Sequence, residues 1–181
     1  MVSVPALETD RLRLRGHNAE DLPNCIALWS DPLVTRYTTG VLVPKEECWN
    51  RLLRYVGHWA LRGFGYWVAE EKTSGAFVGE LGFADYKREL DPSTPNFPEA
   101  GWALASQVHG KGYATEGLRR ILAWGEMNLP CEQTICLIEP ANYKSIRVAE
   151  KCGYHQEALV TYKGSQKLLF ARGWPERSLR H

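Results

Sequence analysis

Apolar residues recur along this chain in two rhythms. Between Arg11 and Arg15 leucine alternates with arginine, the period-two signature of a half-buried strand. From Ala19 to Trp29 the spacing of Leu22, Ile26 and Trp29 is helical, and Asp31-Pro32 ends the pattern. A longer helix starts near Pro44, with proline in its first turn and Glu46 and Glu47 placed to complement the helix dipole. Its predicted apolar face runs through Trp49, Leu52, Leu53, Val56 and Trp59, and Gly63 is the predicted stop.

Beyond Gly63 the period shortens to two. Segments 64–71 and 76–86 flank Thr73-Ser74-Gly75 and read as a hairpin. Asp85 to Pro98 contains three prolines and reads as a long excursion, a length usually given to function. A strand follows over 99–105, then a glycine turn and a helix over 115–128. Next come a β-rich strand over 134–139 and a helix over 142–152 closed by Gly153. Two last strands, 155–162 and 166–172, are joined by Lys163-Gly164-Ser165. Hairpins demand antiparallel pairing, and the strand–helix–strand unit from Glu99 to Glu139 demands a parallel crossover. The order predicts an α+β fold with a mixed sheet. With no repeat, linker or low-complexity stretch, one domain over 1–181 is expected, its core running from about Leu7 to Arg172.

Composition narrows the chemistry. Hydrophobic residues make up 44% and charged residues 24%, a globular balance. The formal net charge of +1 gives no electrostatic reason to expect nucleic acid as a partner. Five scattered cysteines (Cys25, Cys48, Cys131, Cys136, Cys152) and five histidines show no metal-ligand spacing, so no metal is expected. The odd thiol count, no apolar leader in MVSVPALETDRLRLR and no run of about 18 apolar residues point to a reduced, cytoplasmic protein without a membrane partner.

The stretch QVHGKGYATEG carries the chemistry. A strand ends near Ala105, Gly110 and Gly112 follow, and a helix begins. Unpaired first-turn amides and the positive dipole end of a helix suit a phosphate, and glycines let backbone approach it closely. A Rossmann G-x-G-x-x-G fails because Thr115 holds the third glycine position, and a Walker loop fails because Tyr113 follows Gly112. Q-x-x-G-x-G remains: Gln107, Gly110, Gly112.

That string resembles the acyl-CoA pyrophosphate loop of the Gcn5-related N-acetyltransferases (GNAT). PANYKSIRVAEKCGY resembles the family's second signature through Asn142, Ser145, Ile146, Glu150, Gly153 and Tyr154. The opening ETDRLRLR and the central EAGWALASQVHGKGYATEG look like the RimJ/RimL ribosomal-protein branch, and the resemblance covers roughly Leu7 to Arg172. It implies a three-layer fold, its mostly antiparallel sheet splayed between two parallel strands, with acetyl-CoA in the wedge as acyl donor. It also implies that Gln107, Val108, Gly110, Gly112, Tyr113 and Ala114 supply or border the pyrophosphate loop. Asn142 would meet the pantetheine arm, and amides from Trp102 through Ala103 to Leu104 would face the thioester carbonyl.

Acetyl transfer needs a neutral amine, a polarised carbonyl and a proton for the leaving thiolate. Candidate bases are Glu99, Glu80 and Asp85; Glu99 is favoured by resemblance, with pairing to an arginine as the competing role. Many relatives carry a thiolate-protonating tyrosine seven residues after the asparagine, but Ala149 stands there. Ser145 can hydrogen-bond the sulfur instead, or serve only as a small packing residue. Lys144 and Arg147 read as an exposed basic face, and Trp102 and Tyr154 as core. Trp29, Tyr37, Trp49, Tyr66, Tyr86 and the 85–98 excursion are available to an acceptor pocket. The expectation is an N-acetyltransferase acting on a small amine or protein N-terminus in a ternary complex, with homodimerisation open. Two alternatives are a non-catalytic acyl-CoA sensor and a phosphate-binding protein without CoA chemistry.

Overall fold

The computed structural model describes residues 3–174; Met1, Val2 and residues 175–181, which the expected 1–181 domain includes, lie outside the described residues. Eight strands form one sheet: β1 (Leu7–Glu8), β2 (Leu12–Arg15), β3 (Tyr66–Glu71), β4 (Phe77–Ala84), β5 (Glu99–Leu104), β6 (Gln133–Ile138), β7 (His155–Tyr162) and β8 (Ser165–Gly173). Their spatial order is β1-β2-β3-β4-β5-β6-β8-β7. Every neighbouring pair is antiparallel except β5 with β6. The helices are α1 (Leu22–Trp29), α2 (Pro32–Thr35), α3 (Lys45–Arg62), α4 (Tyr113–Asn128) and α5 (Tyr143–Lys151). This is the expected α+β architecture.

The alternation within β4 divides the layers. Leu81 and Phe83 join a core with Leu118, Ile121 and Leu122 of α4 and Ala149 of α5. Successive strand residues face opposite sides, so Glu80, Gly82 and Ala84 face the α1–α3 side. There Cys25, Leu28 and Trp29 of α1 and Cys48 of α3 pack with Ala103. Small residues on this face are obligatory. A Cβ on Gly82 would lie 2.3 Å from the Gly65 carbonyl oxygen, and one on Gly101 would lie 2.0 Å from the Tyr66 hydroxyl. The missing side chains leave room for Tyr66 to lie over the sheet.

The helices keep their predicted places with three departures. Residues 19–21 form a 3-10 turn, with Asn18 and Asp21 in a capping box. Asp31 ends α1 as expected but also caps α2, accepting a 2.8 Å hydrogen bond from the Leu33 amide. The largest departure is the rotation of α3. Its buried residues are Cys48, Leu52, Tyr55 and Trp59, while Trp49, Leu53 and Val56 are 37%, 49% and 45% exposed. Trp59 fixes that rotation by donating its indole N–H to Tyr66 O at 3.0 Å and packing edge-on against Trp67. The end of α3 matches its sequence: Gly63 adopts φ 71°, and its N–H reaches Trp59 O at 3.0 Å.

The excursion between β4 and β5 is tied down rather than free. Asp91 exchanges two backbone hydrogen bonds with Thr161 of β7, at 3.1 and 2.7 Å. Asp85 anchors its root, pairing with Arg62 at 3.0 Å and Lys87 at 2.9 Å and accepting from Asn96 at 3.0 Å. Among the described residues no helix is long and apolar enough to cross a membrane.

The β4 glycine gives a direct test of this packing. Gly82→Ala forces its methyl group onto backbone that cannot yield like a flexible side chain, so a loss of about 2 kcal/mol or more is expected. Urea unfolding checks it, and a change under about 0.5 kcal/mol would contradict the close approach.

Candidate active site

Glu99 pairs with Ile135, and no further register joins β5 to β6. The Ile135 amide donates to Pro98 O at 3.1 Å, after which the strands diverge. Backbone parity then decides which groups line the gap. Ala105 N–H donates to Val78 O at 2.9 Å, so in the β4–β5 register Ala103, Gly101 and Glu99 spend their backbone bonds on β4. The backbones of Ala100, Trp102 and Leu104 face β6 instead. Leu104 O is occupied by the His109 ring at 2.8 Å. The Trp102 amide and carbonyl and the Leu104 amide are left open to the gap, and strand groups without partners invite a ligand that completes the ladder.

The glycine turn sits just past β5. Gly110 and Gly112 adopt φ 80° and 83°, the left-handed region that glycine enters without steric cost. Gly112 is the N-cap of α4, and no side chain among the described residues caps that end, so first-turn amides remain available. The turn is braced from beneath. Arg11 donates to Lys111 O at 2.9 Å and lies 4.5 Å over the Tyr113 ring. The Tyr113 hydroxyl bonds Glu71, so its side chain is buried and only its backbone belongs to the turn.

A cleft of about 780 Å³ joins the gap to the α1–α3 side. Trp102, Ala103, Asn142 and Ser145 line it, as does Glu99 at the point where the strands meet. Leu104, Gln107, Val108, Gly110, Gly112, Tyr113 and Ala114 lie outside this lining, on the continuation toward α4. Asn142 caps α5, its Oδ1 accepting from the Ser145 amide at 3.2 Å. Tyr154 is core, its hydroxyl 2.7 Å from Thr134 Oγ1, whereas Trp102 is partly buried and borders the cleft. Lys144 and Arg147 are exposed. Ala149 is wholly buried on the inner face of α5, so this chain has no space there for a tyrosine.

The three candidate carboxylates occupy different settings. Glu99 is gripped by the Arg88 fork, Oε2 to Nε at 2.6 Å and Oε1 to Nη2 at 3.0 Å. Burial pushes its carboxyl above the usual range, and the Arg88 charge pulls the other way. Burial also raises Asp85, but hydrogen bonds from Lys87 and Asn96 and nearby charge outweigh it and hold Asp85 low. Glu80 is fully buried, bonded by the Trp29 indole and lying 3.2 Å from His17 Nε2. Burial lifts the Cys152 thiol to about 11 and Cys136 well above its usual value, so neither is an activated nucleophile. No cluster of three or more His, Cys, Asp or Glu able to hold a metal occurs among the described residues.

The expected aromatic residues Trp29, Tyr37, Tyr66 and Tyr86 line the cleft, while Trp49 does not. Arg51, Arg54, Tyr55 and His58 line it as well, unforeseen from the sequence. Their spacing of three, four and seven residues is a second helical stripe on α3, readable once the helix is rotated correctly. The His58 tautomer is fixed: Nδ1–H donates to Phe64 O at 2.7 Å, and Nε2 accepts from the Asp85 amide at 2.8 Å.

Comparison with known proteins agrees with this geometry. The Acetyltransferase (GNAT) domain family matches residues 11–155. YkkB of Bacillus subtilis (strain 168), itself uncharacterised, is 34% identical over 160 residues, covering 85% of this chain and 87% of YkkB. A solved structure from Bordetella pertussis, assigned to the GnaT acetyltransferase family, is 28% identical with a TM-score of 0.81, covering 94% of this chain and 100% of that one. RimL, an L7/L12 α-N-protein acetyltransferase solved with coenzyme A, shares the fold at 14% identity and a TM-score of 0.74, over 94% and 98% of the two chains.

The buried fork yields a measurable energy. Arg88→Met strands the Glu99 carboxylate, and a loss of about 2 kcal/mol is expected, below the ~3–5 kcal/mol of fully buried pairs because Arg88 is partly exposed. Adding Glu99→Gln should recover at least half of it. Urea unfolding of the double-mutant cycle reads both values, and additive losses would contradict the pairing.

Proposed function

The chain belongs to the GNAT acetyltransferase family, and we propose that it moves an acetyl group from acetyl-CoA to a primary amine by direct attack in a ternary complex. The observation that carries this reading is the open β5–β6 gap, with the Trp102 and Leu104 amides turned into it and the Gly110–Gly112 turn beyond. A pantetheine arm, which carries amides of its own, can complete a strand ladder on those groups. A pyrophosphate suits the uncapped start of α4. Bound acetyl-CoA supplies the activated acyl group.

The residues divide the remaining work. The Trp102 amide donates to the thioester carbonyl and stabilises the charge that develops there. The Asn142 amide nitrogen, free of the cap made by Oδ1, reaches the pantetheine arm. Ser145 lines the cleft, its hydroxyl without a protein partner among the described residues, and it donates to the departing sulfur. Glu99 is assigned a positioning role, because Arg88 holds both of its oxygens. Solvent takes the proton of the amine; an α-amine of pKa about 8 is partly neutral without a dedicated base. The raised thiols of Cys136 and Cys152 favour direct attack over a covalent enzyme intermediate.

Steady thiol release from acetyl-CoA over a panel of amines tests the reading. Tight acetyl-CoA binding without release would instead favour a sensor. Within an active enzyme, Ser145→Ala should lower kcat and kcat/KM together by about tenfold, with acetyl-CoA affinity unchanged. Single-turnover transfer at saturating acetyl-CoA checks this, and a rate within a factor of two of wild type would leave Ser145 as a packing residue.

A further inference from the structure

Resting on the acetyl-transfer reading, we propose that the acceptor amine also carries a carboxylate, which Arg51 and Arg54 of α3 hold. The balance of charge in the cleft motivates this. Three carboxylates line it, and each is already matched: Glu99 by Arg88, Asp85 by Arg62 and Lys87, and Glu139 by Lys167 at 2.7 Å. Arg51 and Arg54 line the same cleft and form no ion pair among the described residues. The acceptor end therefore presents two arginines outside any ion pair among the described residues, with Glu80 acting on Arg51 only at a distance, and no unpaired carboxylate in its lining. A polyamine meets repulsion there, whereas an anionic group is drawn in.

Arg51 is built as a receptor rather than a surface charge. Its guanidinium lies 3.8 Å over the Trp29 ring, and Glu80 pins that ring through the indole N–H. Stacking fixes the plane of the fork, which suits bidentate binding of a carboxylate. The Tyr55 side chain hydrogen-bonds the Arg51 guanidinium, and Glu80 and Tyr86 act on it through charge. Arg51 Nε is buried and has no hydrogen-bond partner among the described residues, a costly state that an incoming acceptor oxygen relieves. Glu80 acts on Arg51 through charge but takes no hydrogen bond from this donor, because its oxygens face Trp29 and His17. Tyr55 and Tyr66, stacked with ring centroids 4.6 Å apart, supply an apolar wall beside the fork. An amine and a carboxylate on one short carbon framework would span the wedge and α3. Such a framework is offered by a free amino acid or by an acidic side chain near a peptide N-terminus.

Thiol release at saturating acetyl-CoA tests this with matched acceptors. These are L-phenylalanine and L-glutamate against their α-amides, dipeptide amides bearing Glu or Gln in second place, and putrescine. Amidation lowers the amine pKa, so without carboxylate recognition the amides should react faster. The carboxylate member of at least one pair should instead show kcat/KM at least about tenfold higher. The pair that responds, free amino acid or acidic peptide, identifies the source of the group. The preference should collapse in Arg51→Gln and weaken in Arg54→Gln, the second variant keeping the test open should the first not fold. Arg51→Lys should restore it only in part. Calorimetric binding of the same compounds to the CoA-bound protein separates the two readings. Carboxylate-selective binding lost in Arg51→Gln, with no thiol released from any amine, would sink acetyl transfer and keep the Arg51 carboxylate site alone. Equal or better use of the amides or putrescine, or no binding of any acid, overturns it.

Discussion

β5 and β6 are joined at Glu99 and Ile135 and diverge beyond that point, and the site depends on what this divergence leaves behind. An unpaired strand backbone away from water is costly, so a fold that opens a sheet in its middle implies something to fill the opening. The parity of the β4–β5 ladder turns Trp102 and Leu104 toward the gap and keeps Ala103 for β4. The crossover helix between the two parallel strands begins at the same end, which brings the uncapped start of α4 to the gap's mouth. Backbone geometry thus builds most of the proposed donor site, and few side chains are needed.

The proposed acceptor side is built differently, from side chains on a face cleared for them. Gly82, Ala84, Gly101 and Ala103 keep the sheet surface low. Tyr66, Tyr55 and the α3 arginines occupy the cleared space. Around them the carboxylates are already engaged: Glu80 holds Trp29 beneath Arg51, Glu99 is gripped by Arg88, and Asp85 pairs with Arg62 and Lys87. Each contact occupies a carboxylate, and with Lys167 on Glu139 the three acids that line the cleft are all paired.

Elements with strong local signals were readable from the chain. The β2 alternation, the Thr73-Ser74-Gly75 turn, the Gly63 stop and the Gly110–Gly112 turn rest on period or backbone preference alone, and each is present. The two-residue β1 was too short to show a period. The rotation of α3 was not readable, because its aromatic and aliphatic residues surround much of the helix. Tertiary contacts of Trp59 and Tyr55 chose the buried face. The same rotation puts Arg51 and Arg54 on the stripe that faces the cleft. The Arg88–Glu99 fork joins a loop to a strand, and only the pairing role of Glu99, not its partner, was foreseeable. Ala149 marks a departure from the resembling sequences that its full burial makes coherent.

Hydrogen–deuterium exchange with and without acetyl-CoA tests the central claim most directly, because it reads individual stretches of backbone. If the gap is the donor seat, acetyl-CoA should slow exchange at Trp102 and Leu104 and across residues 110–115. Amides of β4 and β8, already paired in the sheet, should change little. Tight binding of acetyl-CoA with no protection at Trp102, Leu104 or the glycine turn would contradict the account.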